Sequence, residues 1–206
     1  MTERVAVLLD GEYARKVIAR RLGRFAEPED LMAEVRRILS SPAVVHLLLY
    51  RIFYYTAEPL AGTTTHPLDG AAVDFQASPV FSRNARLIDR IENEPDVAVR
   101  RGTVVHQGWE LGSAAVRALV KGSKQQIEPR DVVPKIVQKG VDVRIGLDIA
   151  SLALKRLVST IVLVTGDSDL VPAMKLARRE GLRVILDPLG NRQIRSDLKK
   201  HADRML

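Results

Sequence analysis

Apolar and polar positions along this chain follow two periods, one of strands and one of helices. Arg4–Leu9 (RVAVLL) and Ile161–Val164, within Ser159–Pro172 (STIVLVTGDSDLVP), are short unbroken apolar runs. Runs of that length bounded by Gly and a helix start mark strands buried on both faces of a parallel sheet. Each run gives way to carboxylates, Asp10 before Gly11 and Asp167 and Asp169 after Thr165-Gly166. Each then enters a helical pattern. Glu12–Leu22 is predicted as one helix and Pro28–Leu39 as a second, with Leu31, Val35, Ile38 and Leu39 on one face and Pro42 beyond its end. Val44–Tyr55 is expected to be a strand, Val80–Ile91 a helix, and Val97–His106 a strand interrupted at Arg101-Gly102. In the last third, Ser168-Asp169 is expected to cap a helix that carries Pro172 in its first turn and ends at Gly181. Gly181–Asp187 then completes a right-handed β-α-β unit. Ser196–Met205 reads as a closing amphipathic helix with Leu198, Ala202 and Met205 inward.

Two stretches resist a single period. In Gln138–Leu157, Val141, Val143, Ile145, Leu147 and Ile149 alternate with Asp142, Arg144, Gly146 and Asp148, as in a strand. Read as a helix, Ile145, Ile149, Leu152 and Arg156 share a face instead. The choice matters for chemistry. In a strand Asp142 and Asp148 would stand about 20 Å apart, in a helix about 9 Å along its axis. Only the helix lets Asp142 reach a site at the strand tips. Glu58–Pro79, rich in Gly, Pro and Thr, is expected to be a long surface loop, and Lys121–Arg130 an exposed basic one.

The elements predict an α/β fold with a mainly parallel central sheet, as a single domain over residues 1–206. Absence of cysteine excludes disulfides, thiolate metal sites and Cys nucleophiles. No apolar run approaches the roughly 20 residues of a membrane span, and no signal peptide precedes VAVLLD, so a cytoplasmic protein that touches no membrane is expected. The net charge of +7 lies entirely in the second half: residues 1–103 carry 14 Lys and Arg against 14 Asp and Glu, and residues 104–206 carry 18 against 11. A basic half favours a polyanion; a merely soluble basic surface is the bland alternative. Tyr50, Phe53, Tyr54 and Tyr55 are expected in the core, and Trp109 fits packing and base stacking equally. His66 has no metal-ligand spacing to His46 or His106.

Open α/β sheets bind ligands outside the carboxyl ends of their strands. Neighbouring strand tips lie about 5 Å apart, so Asp10, Asp167 and Asp169 can converge there. One alternative for the last two is an N-cap and a turn Asp. Oxygen-only ligands without His or Cys select Mg²⁺ or Mn²⁺. Lys121, Lys124 and Lys139 are candidates for contact with a phosphate backbone. A Toprim-type domain would want Glu at Asp10, a haloacid-dehalogenase phosphatase would want D-x-D-x-T there, and a dinucleotide enzyme a G-x-G-x-x-G.

VAVLLDG, KGVDVRIGLDI and IVLVTGDSDLVPAMKLARREGLRVIL stand in the order and spacing of the NYN domain, and the tail LKKHADRML is similar to its closing segment. The chain resembles the LabA/DUF88 branch of that PIN-like superfamily, over both ends and residues 138–206. The resemblance implies a Rossmann-like three-layer sheet of order 3-2-1-4-5 and an RNA endonuclease dependent on Mg²⁺ or Mn²⁺, acting on single-stranded RNA. It puts Asp10, Asp142, Asp167 and Asp169 in the catalytic, metal-binding positions and Asp148 at a further ligand position. Tyr13 departs from it, because the family's opening motif has Asn there. A non-catalytic RNA-binding or regulatory module is the alternative, and a homo-oligomer is compatible with either.

Overall fold

The computed structural model describes residues 3–206. From the start, β1 (Arg4–Asp10), α1 (Gly11–Leu22), α2 (Pro28–Leu39) and β2 (Leu48–Ala57) are followed by a hairpin of β3 (Thr63–Thr65) and β4 (Ala72–Asp74). Next come α3 (Pro79–Glu92), β5 (Val97–Leu111), α4 (Ser113–Val120) and β6 (Val132–Lys139). The last third holds α5 (Val141–Leu154), β7 (Thr160–Val164), α6 (Val171–Arg179), β8 (Arg183–Leu186), α7 (Ser196–Lys200) and β9 (Arg204–Met205). The residues group into two compact units: Glu58–Arg86 with Thr103–Lys139 form the second, and the remainder the first.

In the first unit the strands run parallel in the order β5-β2-β1-β7-β8-β9. Counting the first five in chain order gives the expected 3-2-1-4-5. β1 and β7 lie at the centre, and every residue from Val5 to Asp10 and from Thr160 to Val164 is buried. Val5, Val7, Leu9, Val162 and Val164 pack with Ile18 of α1, Leu31, Val35 and Ile38 of α2, and Ile91 of α3. Each such side chain contributes roughly 1.5–3 kcal/mol. α5 and α6 pack against β2 and β8 respectively and against each other. Tyr54 and Tyr55 are fully buried, as core residues. No helix among the described residues is long and apolar enough to cross a membrane.

Residues 141–154 take the helical reading. Gly140, in the left-handed region at φ 76°, starts the helix, which buries Val141, Ile145, Ile149 and Leu152 and leaves Val143 and Leu147 65% and 64% exposed. The alternation that imitates a strand is thus split between two helix faces.

Other expectations shift. The strand after Pro42 starts at Leu48, because residues 42–46 are turns. Ser196–Met205 is not one helix. It stops at Lys200, and β9 follows, since the Asp203 carboxylate accepts from Val184 N at 2.8 Å and Arg178 Nε at 2.8 Å and draws the tail alongside β8. Met205 is therefore 38% exposed. β5 is not interrupted at Arg101-Gly102, where Gly102 pairs with Ala57 and the strand runs on. Its irregularity comes later, between His106 and Trp109, where Gly108 has φ 86°.

In the second unit Thr103–Leu111 pairs antiparallel with β6. The expected loop at 58–79 contains the β3–β4 hairpin, closed by His66 N donating to Ala71 O at 2.8 Å. Trp109 packs rather than standing free: its ring meets His66 edge-on at 4.7 Å and His106 at 5.5 Å.

Candidate functional site

The register of β1 against β7 pairs Leu9 with Val164, which brings Asp10 level with Thr165. Gly11 follows because nothing larger fits: a Cβ there would lie 2.5 Å from Tyr55 O and 2.6 Å from Tyr54 Cζ. Both oxygens of Asp10 are oriented. Oδ1 accepts from Tyr13 N at 3.1 Å, and Oδ2 accepts from Thr165 Oγ1 at 3.1 Å. The Thr165 hydroxyl in turn accepts from Asp167 N at 3.1 Å, so one hydroxyl links the two acid-bearing loops. Thr165 was not singled out in the sequence. The signal was its place, directly after the strand and two residues before the acid.

Asp167 caps the short 3-10 turn Ser168–Leu170 by accepting from Asp169 N at 2.9 Å. The cap is Asp167, not Ser168-Asp169 as expected, because the turn begins one residue earlier than the helix pattern suggests. Asp142 lies in the first turn of α5.

The electrostatics tie these four residues together. Asp10 is 8% exposed. Burial pushes its carboxyl up to about 6, the hydrogen bonds from Tyr13 and Thr165 work the other way, and the charges of Asp142 and Glu12 push it up further. Asp142 is also raised, by burial first and then by Asp167, Asp169 and Glu12. None of Asp10, Asp142, Asp167 and Asp169 has an ion-pair partner among the described residues. Glu12 does, in Lys16. Asp142 is the link, within reach of the charge of Asp10 on one side and of Asp167 and Asp169 on the other, yet among the described residues no three carboxylates or imidazoles close into a cage for an ion. An all-carboxylate donor set with raised members and no basic side chain paired to it among the described residues nevertheless suits a hard divalent ion, which would remove the repulsion.

Asp148 stands apart. Its Oδ2 accepts from Arg100 Nε at 2.8 Å and from Tyr55 OH at 3.0 Å. Burial, then Asp148 itself, raises the Tyr55 phenol and keeps it a donor. Arg100 also lies 5.0 Å over the Phe53 ring. Asp148 does not figure among the charges that raise Asp10 or Asp142. It anchors α5 to β2 and β5.

Tyr13 is a second residue whose role lies in contacts. A Cβ on Gly166 would stand 2.4 Å from the Tyr13 ring, so that ring rests on the glycine beside Asp167. Its hydroxyl donates to Pro188 O at 2.9 Å and accepts from Asn191 Nδ2 at 3.4 Å.

The three lysines belong to the second unit. Lys121 follows α4 and is exposed. Lys139 ends β6 and is exposed. Lys124 is committed to Asp131 at 2.6 Å and Glu128 at 3.4 Å.

A profile of the NYN domain matches residues 69–206. The chain belongs to the NYN domain family, within the PIN-like nuclease superfamily. The matched segment contains Asp142, Asp148, Asp167 and Asp169 and begins beyond Asp10. Among solved structures, the chain is similar to a protein of unknown function from Vibrio parahaemolyticus, at 16% identity and a TM-score of 0.54, over 100% of this chain and 92% of that one. This likeness speaks to the fold alone. No curated protein matches the sequence.

Proposed function

We propose that this NYN domain is a Mg²⁺- or Mn²⁺-dependent ribonuclease that hydrolyses single-stranded RNA endonucleolytically, and that its motifs place it in the LabA/DUF88 branch. The observation that carries the reading is the set of four acids from three chain segments, linked through Asp142 and without an ion-pair partner among the described residues. Asp10, Asp142, Asp167 and Asp169 would hold the ion. A divalent cation bound there supplies activation of water and neutralisation of the phosphodiester charge. The chain's own groups hold the acids in place. Tyr13 N and Thr165 Oγ1 fix the two oxygens of Asp10, Thr165 spaces Asp10 from Asp167, and Asp167 shapes the turn that carries Asp169. Asp148 acts on the site through the position of α5. Lys121 and Lys139 are offered as phosphate contacts on the second unit, where Lys124 has its own acids to satisfy.

The test is cleavage of a generic single-stranded RNA with Mg²⁺, Mn²⁺ or EDTA, comparing wild type with Asp167→Asn. Cleavage that needs the metal and disappears in the variant supports the reading; an equal rate in the variant removes Asp167 from it. A second reading, an RNA-binding module without cleavage, is favoured by Tyr13, whose ring fills the space over Gly166 between the acid loops. Salt-sensitive RNA binding with no cleavage in wild type would select it.

A further inference from the structure

An acidic edge repels the polyanion it is meant to cut, so a substrate track beside it requires cations that are not already engaged. In the first unit several basic side chains are already engaged. Lys16 pairs with Glu12, Arg100 with Asp148, and Arg37 with Glu34 and Asp187. Arg144 Nη1 donates to Gly140 O at 2.9 Å.

The segment after β8 differs. It is fastened to the acid site at two places. Tyr13, whose N–H holds Asp10, reaches Pro188 O through its hydroxyl, and Asn191 donates back to that hydroxyl. Further on, α7 packs against the Ser168–Leu170 turn that follows Asp167. The segment also carries its own internal contacts. Leu189 N donates to Asp187 Oδ1 at 2.8 Å, Gln193 N donates to Asn191 Oδ1 at 3.0 Å, and Ile194 and Leu198 are buried at 9% and 0% exposure. Between and beside these anchors Arg192 and Arg195 are exposed, and neither has an ion pair or hydrogen bond through its side chain among the described residues. Two exposed arginines are thus carried on a segment anchored to the residues beside Asp10 and Asp167. A guanidinium suits a phosphate because its planar donors match two oxygens at once and it is always charged.

We infer that Arg192 and Arg195 bind consecutive phosphates of single-stranded RNA and lead its backbone to the acid site, with Tyr13 and Asn191 as the strut that holds this track in place. The inference rests on the proposed ribonuclease reading and adds to it the residues that receive the substrate. The second unit's lysines are not required for it.

The test is binding of a fluorescein-labelled oligouridine in EDTA, followed by anisotropy over a fourfold range of KCl. For single strands each phosphate contact contributes about 0.7 to the slope of log K against log salt. Arg192→Ala/Arg195→Ala is expected to make the slope shallower by about 1.4, so that the fourfold rise in salt costs about sevenfold less affinity than in wild type. Arg36→Ala/Arg183→Ala removes two other exposed arginines and the same net charge, and it is expected to keep the wild-type slope. Wild-type binding with an unchanged slope in Arg192→Ala/Arg195→Ala overturns this inference alone. So does an equal loss of slope in the control, since net charge would then suffice. A wild type without salt-sensitive RNA binding overturns the ribonuclease reading and this inference with it.

Discussion

Buried carboxylates in the first unit, Glu34 and Asp187 in one place and Asp10 in another, have met burial in opposite ways. Around α2, Glu34 is 6% exposed and Asp187 1%. Arg37 bridges them, with Nε 2.7 Å from Glu34, and Arg21 pairs with Glu34 from α1. Burial pushes the Glu34 carboxyl up, but Arg37 and Arg21 outweigh it and hold it below the usual range. At the sheet edge, Asp10 is just as buried, has two neutral hydrogen-bond donors and acidic neighbours, and is raised to about 6. The first group is complete within the chain. The second has no ion-pair partner among the described residues, and on the proposed reading a divalent cation would supply it.

The comparison predicts opposite signs for two substitutions. Arg37→Met leaves Asp187 buried without its partner and is expected to cost about 3–5 kcal/mol in urea unfolding. Asp10→Asn in metal-free protein removes an uncompensated charge and is expected to stabilise it by roughly 1–3 kcal/mol at pH 7.5. Destabilisation in both would erase the contrast.

The pH profile of metal-free stability sharpens it further. Asp10 binds its proton more tightly folded than unfolded, about 6 against 3.8. Its contribution is therefore full below about 4 and is lost as pH rises through about 6, a swing of roughly 3 kcal/mol. Asp142 adds to it in the same direction. Glu34 does the reverse: its contribution is present above its ordinary value of 4.5 and fades as pH falls through its lower folded value. Mg²⁺ should accordingly raise the thermal midpoint more at pH 7.5 than at pH 5. Equal shifts at both would mean that the ion binds elsewhere.

The smallest expected effect concerns Tyr13. Gly166→Ala drives a methyl into its ring and should cost about 1–3 kcal/mol. Tyr13→Asn in the same chain should recover much of that cost, because the ring that clashes is gone. A double-mutant cycle without coupling would separate the two residues.

The legible parts of this molecule are those whose pattern is enforced locally. β1, β7 and β8 are short apolar runs buried on both faces, and α1 and α2 bury one stripe each, so the sequence carries their outlines. α4 and β6 went unread because they lie in a unit with few apolar anchors: α4 buries only Ala115, and no residue of β6 is buried. The tail departs from its local pattern for a long-range reason, the grip of Asp203 on Val184 and Arg178. Asp10, Asp167 and Asp169 are visible in the sequence as strand endings. What spacing could not reveal is which acids are paired. Asp142 and Asp148 sit on one helix six positions apart, and only the fold brings Arg100 and Tyr55 to the second of them.

The most direct measurement is therefore a Mn²⁺ titration followed by electron paramagnetic resonance on wild type, Asp142→Asn and Asp148→Asn. Wild type is expected to take up the ion, Asp142→Asn to lose affinity beyond the roughly 10–100-fold typical of outer-shell changes, and Asp148→Asn to stay within that range. Wild type that binds no Mn²⁺, or equal affinity in wild type and Asp142→Asn, would contradict the claim that the unpaired acids form a cation site.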